Sequence, residues 1–164
     1  MRRISIFDDC EDEFVATKTA PIDTFAAKLI GRWEQAGNKV ASLAEEFPED
    51  AYEYRPVEGV RTFAEVLRHV AFWNMYVAAT ARGEKADEEA NELPKPAYPT
   101  KNKILEALRK SIADGASALR ARPAEKEPET AELVAAFLEH TCEHYGQLVV
   151  YTRMKGIVPL AGRG

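Results

Sequence analysis

Four long stretches without proline carry apolar residues at every third or fourth position, which is the spacing of one face of an α-helix. The first of these helices is predicted from about Ile22 to Glu46. Its apolar face consists of Phe25, Leu29, Trp33, Ala36, Val40, Leu43 and Phe47. Two glycines, Gly31 and Gly37, weaken it slightly, because glycine loses backbone entropy when it becomes helical.

The second helix begins with a capping signal. Thr62 and Glu65 have the spacing of a capping box, in which each side chain bonds to a backbone amide at the start of the helix. We expect this helix to end near Thr80. The acidic, proline-rich segment 82–99 that follows is long enough to cross over the end of a bundle.

Two further helices complete the pattern. Thr100 can cap a third helix that ends near Ala121. A fourth helix is predicted from about Thr130 to Lys155, with Gly156 as its terminator. The inward positions of the fourth helix are Leu133, Phe137, His140, His144, Leu148 and Tyr151 or Thr152.

These helices predict an all-α protein, a four-helix bundle with one core and a long crossover between helices two and three. A length of 164 residues, with 46% apolar and 30% charged residues, fits one globular domain. We assign residues 21–164 to the bundle domain and residues 1–20 to an acidic N-terminal arm.

Charge, hydropathy and cysteine content exclude several classes of function. The formal net charge of -5 disfavours a nucleic-acid surface, and no apolar run is long enough to span a membrane. The N-terminus becomes acidic before the core of a signal peptide could form. Cys10 and Cys142 provide no disulfide framework. We therefore expect a cytoplasmic protein whose partner is a small-molecule substrate.

The stretch Glu139–Leu148 contains two of the three histidines of the chain. His140 and His144 are four residues apart on the inward face of the fourth helix, so both imidazoles can bind one divalent metal ion. His69, on the inward face of the second helix, is the one histidine left to be a third ligand. The alternative is that all three are ordinary buried residues of the core.

Several known metal sites do not fit. Residues 140–144 match the H-x-x-E-H signature of inverted zinc peptidases, but no acidic residue follows His144 to supply their further ligand. The chain has neither the Glu-x-x-His pairs of a ferritin-like di-iron site nor the C-x-x-C-H of a c-type haem. What remains is a mononuclear three-histidine site with an open position for water or substrate.

Neighbouring residues have candidate roles in such a site. Glu143 could accept a proton or orient a ligand water, although a helix glutamate is often simply solvated. Cys142 lies off the two-histidine face, and we expect it to be a small buried apolar group. Arg55 and Arg61 can attract an anionic substrate or be surface residues. Candidates for the substrate pocket, which could also be core or helix-packing residues, are Trp73, Asn74, Tyr76, Gln147 and Tyr151.

Three segments resemble the DinB/YfiT-like superfamily of metal-dependent enzymes. Arg61–Ala71 is similar to its second helix, and Tyr52–Pro56 to the loop before that helix. Glu139–Tyr151, followed by Arg153–Pro159, is similar to its last helix and tail. The resemblance spans roughly residues 22–160.

The resemblance implies a four-helix bundle of up-down-down-up topology, assembled as a homodimer. It also implies one divalent ion, zinc or nickel, on His69, His140 and His144. Characterised relatives include thiol S-transferases that use bacillithiol or mycothiol and a mycothiol-dependent maleylpyruvate isomerase.

Three hypotheses follow from the residues and the resemblance. In the first, the metal binds a low-molecular-weight thiol cosubstrate, whose thiolate attacks a small electrophile. In the second, the metal lowers the pKa of a bound water for hydrolysis, with help from Glu143. In the third, the metal only braces a bundle that binds a ligand or acts in a stress response.

Overall fold

The computed structural model describes residues 24–86 and 88–159. The described residues form four α-helices, which are α1 (Phe25–Glu46), α2 (Phe63–Arg82), α3 (Lys101–Arg120) and α4 (Glu127–Met154). They contain no strand, so the predicted all-α class is confirmed. The acidic arm, residues 1–20, lies outside the described residues. None of the helices in the described ranges is long and apolar enough to span a membrane.

Side-chain caps determine where the helices begin. The Thr62 hydroxyl accepts from the amide of Glu65 at 3.1 Å, and the Glu65 carboxylate accepts from the amide of Thr62 at 2.6 Å, which completes the predicted capping box. At the start of α3 the Thr100 hydroxyl accepts from the amide of Lys103 at 3.4 Å. α4 begins three residues earlier than Thr130, because Pro128 fits the first turn of a helix, where its missing amide hydrogen costs nothing.

The helices surround the core in the order α1, α3, α2, α4. α1 and α3 are antiparallel, since Lys101 at the start of α3 donates to the carbonyl of Glu45 near the end of α1. α1 and α4 are parallel, since Glu127 accepts a hydrogen bond from an amide in the first turn of α1. Arg82 at the end of α2 pairs with Asp114 in the second half of α3, so these two helices are also parallel. This arrangement is the up-down-down-up topology.

Two clusters of buried side chains fill the bundle. The larger cluster surrounds the end of α1 and the start of α2, where the rings of Phe47 and Phe63 stack with centroids 3.8 Å apart. In this cluster the Tyr52 hydroxyl donates to the carbonyl of Ala44 at 2.6 Å. The smaller cluster lies at the opposite end and consists of Ile30, Trp33, Val77, Ala116, Leu119 and Val134.

Two glycines allow α1 and α3 to approach each other closely. A Cβ at Gly115 would lie 2.6 Å from the ring of Trp33, and a Cβ at Gly37 would lie 2.9 Å from Ile112. At Gly31 a Cβ would meet nothing within 4 Å. The sequence-based view that Gly31 and Gly37 only weaken α1 is therefore incomplete, because Gly37 also makes room for a side chain of α3.

The middle of the crossover between α2 and α3 is bonded to Arg68 of α2. The amide of Leu93 donates to the carbonyl of Arg68 at 3.4 Å, and the Leu93 side chain is buried in the larger cluster. The Arg68 guanidinium, which is only 2% exposed, pairs with Glu92 at 3.0 Å. Residues 91–93 therefore run directly beside the first half of α2.

We predict that Gly115→Ala lowers the free energy of unfolding by about 1–2 kcal/mol. The new methyl group overlaps the rigid Trp33 ring, and overpacking of this kind outweighs the gain in helix propensity of roughly 1 kcal/mol. Urea unfolding followed by circular dichroism measures the change.

Gly31→Ala is the matched control, since it makes the same change in a helix where the added methyl group meets open space. It should stabilise the protein by up to about 1 kcal/mol. Equal stabilisation by both substitutions would show that Gly115 is not needed for the packing of Trp33.

Candidate metal centre

The three histidines of the chain meet between α2 and α4. His69 is on α2. His140 and His144 are one turn apart on α4, which runs antiparallel to α2. One nitrogen from each imidazole lies within 4.8 Å of the other two. The Nε2 atoms of His69 and His140 are 3.0 Å apart. The packing of α2 against α4 thus brings together histidines that are about 70 residues apart in the sequence.

The crossover determines the tautomer of His69. Its Nδ1 lies 2.6 Å from the backbone carbonyl of Asn91, which can only accept a hydrogen bond. The Nδ1 therefore carries the proton, and the lone pair of Nε2 points toward the other histidines. Asn91 has a φ of 53°, a left-handed conformation that asparagine tolerates better than most residues. Its side-chain oxygen also accepts from Trp73 Nε1 at 2.9 Å.

A chain of hydrogen bonds determines the tautomer of His144. The Tyr151 hydroxyl donates to the carbonyl of Arg61 at 2.9 Å, and it accepts from the amide nitrogen of Gln147 at 3.0 Å. The Gln147 oxygen consequently faces His144 Nδ1, at 2.9 Å, and that nitrogen must donate. The lone pair of His144 Nε2 is left for a ligand. Gln147 and Tyr151 were predicted as pocket residues, and the contacts they make here are with His144 and the start of α2.

Burial keeps the three imidazoles uncharged. It lowers the pKa of His69 to about 4, helped by the positive charge of Arg61 and opposed by the hydrogen bond to Asn91. It also lowers the pKa of His140 to about 4, with help from the other two histidines. The pKa of His144 is lowered for the same reason, while the bond to Gln147 opposes the shift. At neutral pH all three are therefore the neutral bases that metals bind.

This set of donors fits one divalent metal ion. Three neutral imidazoles converge, and the Nδ1–H groups of His69 and His144 are held by carbonyl oxygens, which is the usual outer support of a histidine ligand. Imidazole suits zinc, nickel, copper and iron. Three protein ligands leave a further coordination position, as in catalytic zinc sites. The three histidines are thus positioned to hold a metal ion.

Aromatic rings line one side of the histidines. The Trp73 ring is 6.2 Å from the His69 ring and 6.1 Å from the His140 ring, measured between centroids. Tyr76 continues this wall, and its hydroxyl donates to Glu88 at 2.9 Å. Phe137 packs against Trp73, Tyr76 and His140. It was predicted as an inward position of the fourth helix but not as a residue near the histidines.

Other predicted residues lie elsewhere. Asn74 is buried and donates to Ser111 on α3 at 3.3 Å, so it holds two helices together. Glu143 is exposed, and its negative charge weakly opposes the lowering of the pKa of the adjacent His144. Cys142 is exposed, so the expectation of a buried apolar cysteine was wrong. It follows His140 by two residues, which turns it to the solvent side of α4.

Comparison with known proteins identifies the family. Residues 32–148 match the sequence profile of the DinB superfamily. No curated protein and no solved structure matches the chain significantly. The family match covers well over half of the chain and includes all three histidines, so the chain belongs to the DinB superfamily.

We predict that Gln147→Leu weakens metal binding by about 10- to 100-fold, the usual cost of losing the outer support of a histidine ligand. The leucine cannot accept the proton of His144 Nδ1, so the ring is free to rotate or to change tautomer. Competition with a chromophoric chelator measures the affinity. Gln35→Leu, at an exposed position of α1, is the control and should bind metal as the parent protein does.

We also predict that the metal-free protein loses stability as the pH falls from about 6.5 to about 4. In this interval the unfolded chain takes up protons on histidines of ordinary pKa, whereas His69 and His140 in the folded chain do not, so acid favours unfolding. Melting temperatures across this range test the prediction. His140→Gln should reduce the dependence, and an equal fall in both proteins would contradict it.

Proposed function

We propose that this DinB-superfamily chain is a metalloenzyme that binds one divalent ion through His69, His140 and His144 and transfers a thiol to a small electrophile. The observation that carries the proposal is the convergence of three neutral imidazoles, two of them with their outer nitrogens anchored. A group of buried histidines without a ligand would cost stability at acidic pH and bring no compensating interaction. From the family resemblance we take zinc or nickel as the ion and a homodimer as the assembly.

The surroundings of the histidines support thiol transfer. A bound divalent ion with an open position would lower the pKa of a thiol, and so favour the nucleophilic thiolate at neutral pH. No separate base is then needed, and in the described part of the chain no carboxylate is hydrogen-bonded to the three histidines. Trp73, Tyr76 and Phe137 provide an apolar surface on which an organic electrophile can lie.

We assign the remaining polar residues to supporting roles. Gln147 and Tyr151 orient His144, and Asn91 orients His69 and Trp73. Asn74 stabilises the contact between α2 and α3 and is not needed for substrate binding in this proposal.

The alternative is a metal-dependent hydrolase with Glu143 as its base. One observation favours it, since the carboxylate of Glu143 is close enough to His144 to oppose the lowering of its pKa. Against it, Glu143 is exposed to solvent on α4. The two reactions differ in one requirement, because transfer needs a thiol cosubstrate and hydrolysis does not.

Metal content is the first test. We predict about one divalent ion per chain in protein purified without a histidine tag, and a loss of that ion in His144→Ala, because two imidazoles alone hold a metal weakly. Inductively coupled plasma mass spectrometry measures both. Cys142→Ser, a neighbouring substitution on the exposed side of α4, should keep the metal. Metal-free protein in all three samples, even after reconstitution, would refute the proposal.

A reaction screen then separates the functions. The metal-loaded protein is mixed with small electrophiles in the presence and absence of thiols, and products are identified by mass spectrometry. Conjugates that require both thiol and metal support the transferase. Hydrolysis that needs no thiol and is lost in Glu143→Gln supports the alternative. A metal that only raises the melting temperature would indicate a bundle braced by its ion.

A further inference from the structure

Two arginines share one carboxylate beside the candidate metal centre. Glu92 pairs with Arg68 at 3.0 Å and with Arg61 at 3.7 Å. Arg68 is almost fully buried, so its short pair with Glu92 compensates the cost of burying a charge. The side chain of Arg61 is 36% exposed and its pair is longer. Glu92 therefore belongs chiefly to Arg68, and Arg61 retains donors for a ligand.

Arg61 is linked to two of the histidines through its backbone carbonyl and through its carboxylate partner. Its backbone carbonyl ends the chain of hydrogen bonds that orients His144. Its carboxylate partner, Glu92, directly follows Asn91, whose carbonyl bonds to His69. Arg68, the other partner of Glu92, directly precedes His69 in α2.

Two other cations at this end of the bundle, Arg55 and Lys155, have partners of their own. Arg55 pairs with Glu65, the capping residue of α2, at 3.5 Å. Lys155 lies over the ring of Tyr54, 5.2 Å from its centroid. Arg61 differs from both, because its carboxylate partner is shared with a second arginine that lies closer to that carboxylate.

We propose that Arg61 binds a carboxylate of the substrate, so that the thiol accepted by this site is an anionic one whose carboxylate lies on Arg61 while its sulfur reaches the metal. The inference rests on the proposed function, because it assigns a substrate class to the same metal site. A guanidinium suits this role, since its planar fork can bond both oxygens of a carboxylate. Arg61 acts here in binding and positioning, and no bond of the substrate is broken on it.

The test uses protein loaded with cobalt(II), in which binding of a thiolate to the metal produces a charge-transfer absorption band. Three probes of similar size are titrated, namely 3-mercaptopropionate, 2-mercaptoethanol and cysteamine, which are anionic, neutral and cationic. We expect the anionic thiol to bind about three- to tenfold more tightly than the neutral one, with cysteamine the weakest. The preference should shrink as salt is added.

Variants assign the preference to a residue. Arg61→Gln keeps the backbone carbonyl that Tyr151 needs, and it should bind cobalt(II) normally while losing the preference for the anionic thiol. Arg61→Lys should keep part of that preference. Arg55→Gln, which removes a cation from the same end of the bundle, is the matched control and should keep all of it.

The outcomes distinguish this inference from the proposed function. Failure of all three thiols to produce the absorption band on cobalt-loaded protein would refute the thiol-dependent function itself. If all three thiols produced the band and bound with equal affinity, the proposed function would stand and the role of Arg61 would be overturned. A preference for the anionic thiol that survives in Arg61→Gln would overturn it as well.

Discussion

The hydrogen bond from the Tyr151 hydroxyl to the carbonyl of Arg61 joins the end of α4 to the start of α2, and the geometry of the histidines depends on it. These helices are antiparallel, so His69 can face His140 and His144 only in one register. A slip of one helical turn, about 5.4 Å, would separate the imidazoles. The same tyrosine orients Gln147 and, through it, His144. This bond thus connects the register of the two helices with the direction of the His144 lone pair.

The centre also illustrates how a protein keeps polar groups inside a helical core. The Nδ1–H groups of His69 and His144 each donate a hydrogen bond to an oxygen. The indole N–H of Trp73 donates to the side-chain oxygen of Asn91. These bonds leave the Nε2 atoms of His69 and His140 facing each other at 3.0 Å, where two lone pairs would repel unless a proton or a cation lies between them. A neutral His140 that carries its proton on Nε2 supplies such a proton, and a metal ion bound here would take its place.

Local signals in the sequence predicted the bundle, because helical periods and threonine caps act over a few residues. The pair His140 and His144 was visible for the same reason, and His69 followed because no other histidine exists. Asn91 could not be found in this way, since it acts mainly through a backbone carbonyl, which every residue has. The hydrogen bonds from His144 to Gln147 and from Gln147 to Tyr151 follow helical spacing and could be predicted from the sequence. The bond from Tyr151 to the carbonyl of Arg61 depends on how the helices pack. Cys142 was misplaced because a general tendency of cysteine was given more weight than its phase on the helix.

The separation of the ligands along the chain has a consequence for the order of folding. His140 and His144 form a pair as soon as α4 is helical, whereas His69 is 71 residues from His140 and reaches the pair only when α2 docks. A contact that closes so long a loop costs chain entropy that a contact within one helix does not. An ion bound to the two imidazoles of α4 would therefore gain its third ligand only when α2 packs against α4, and it would bind this state more tightly than any state in which the two helices are apart. Occupancy of the three-histidine site would then report that these two distant segments have met.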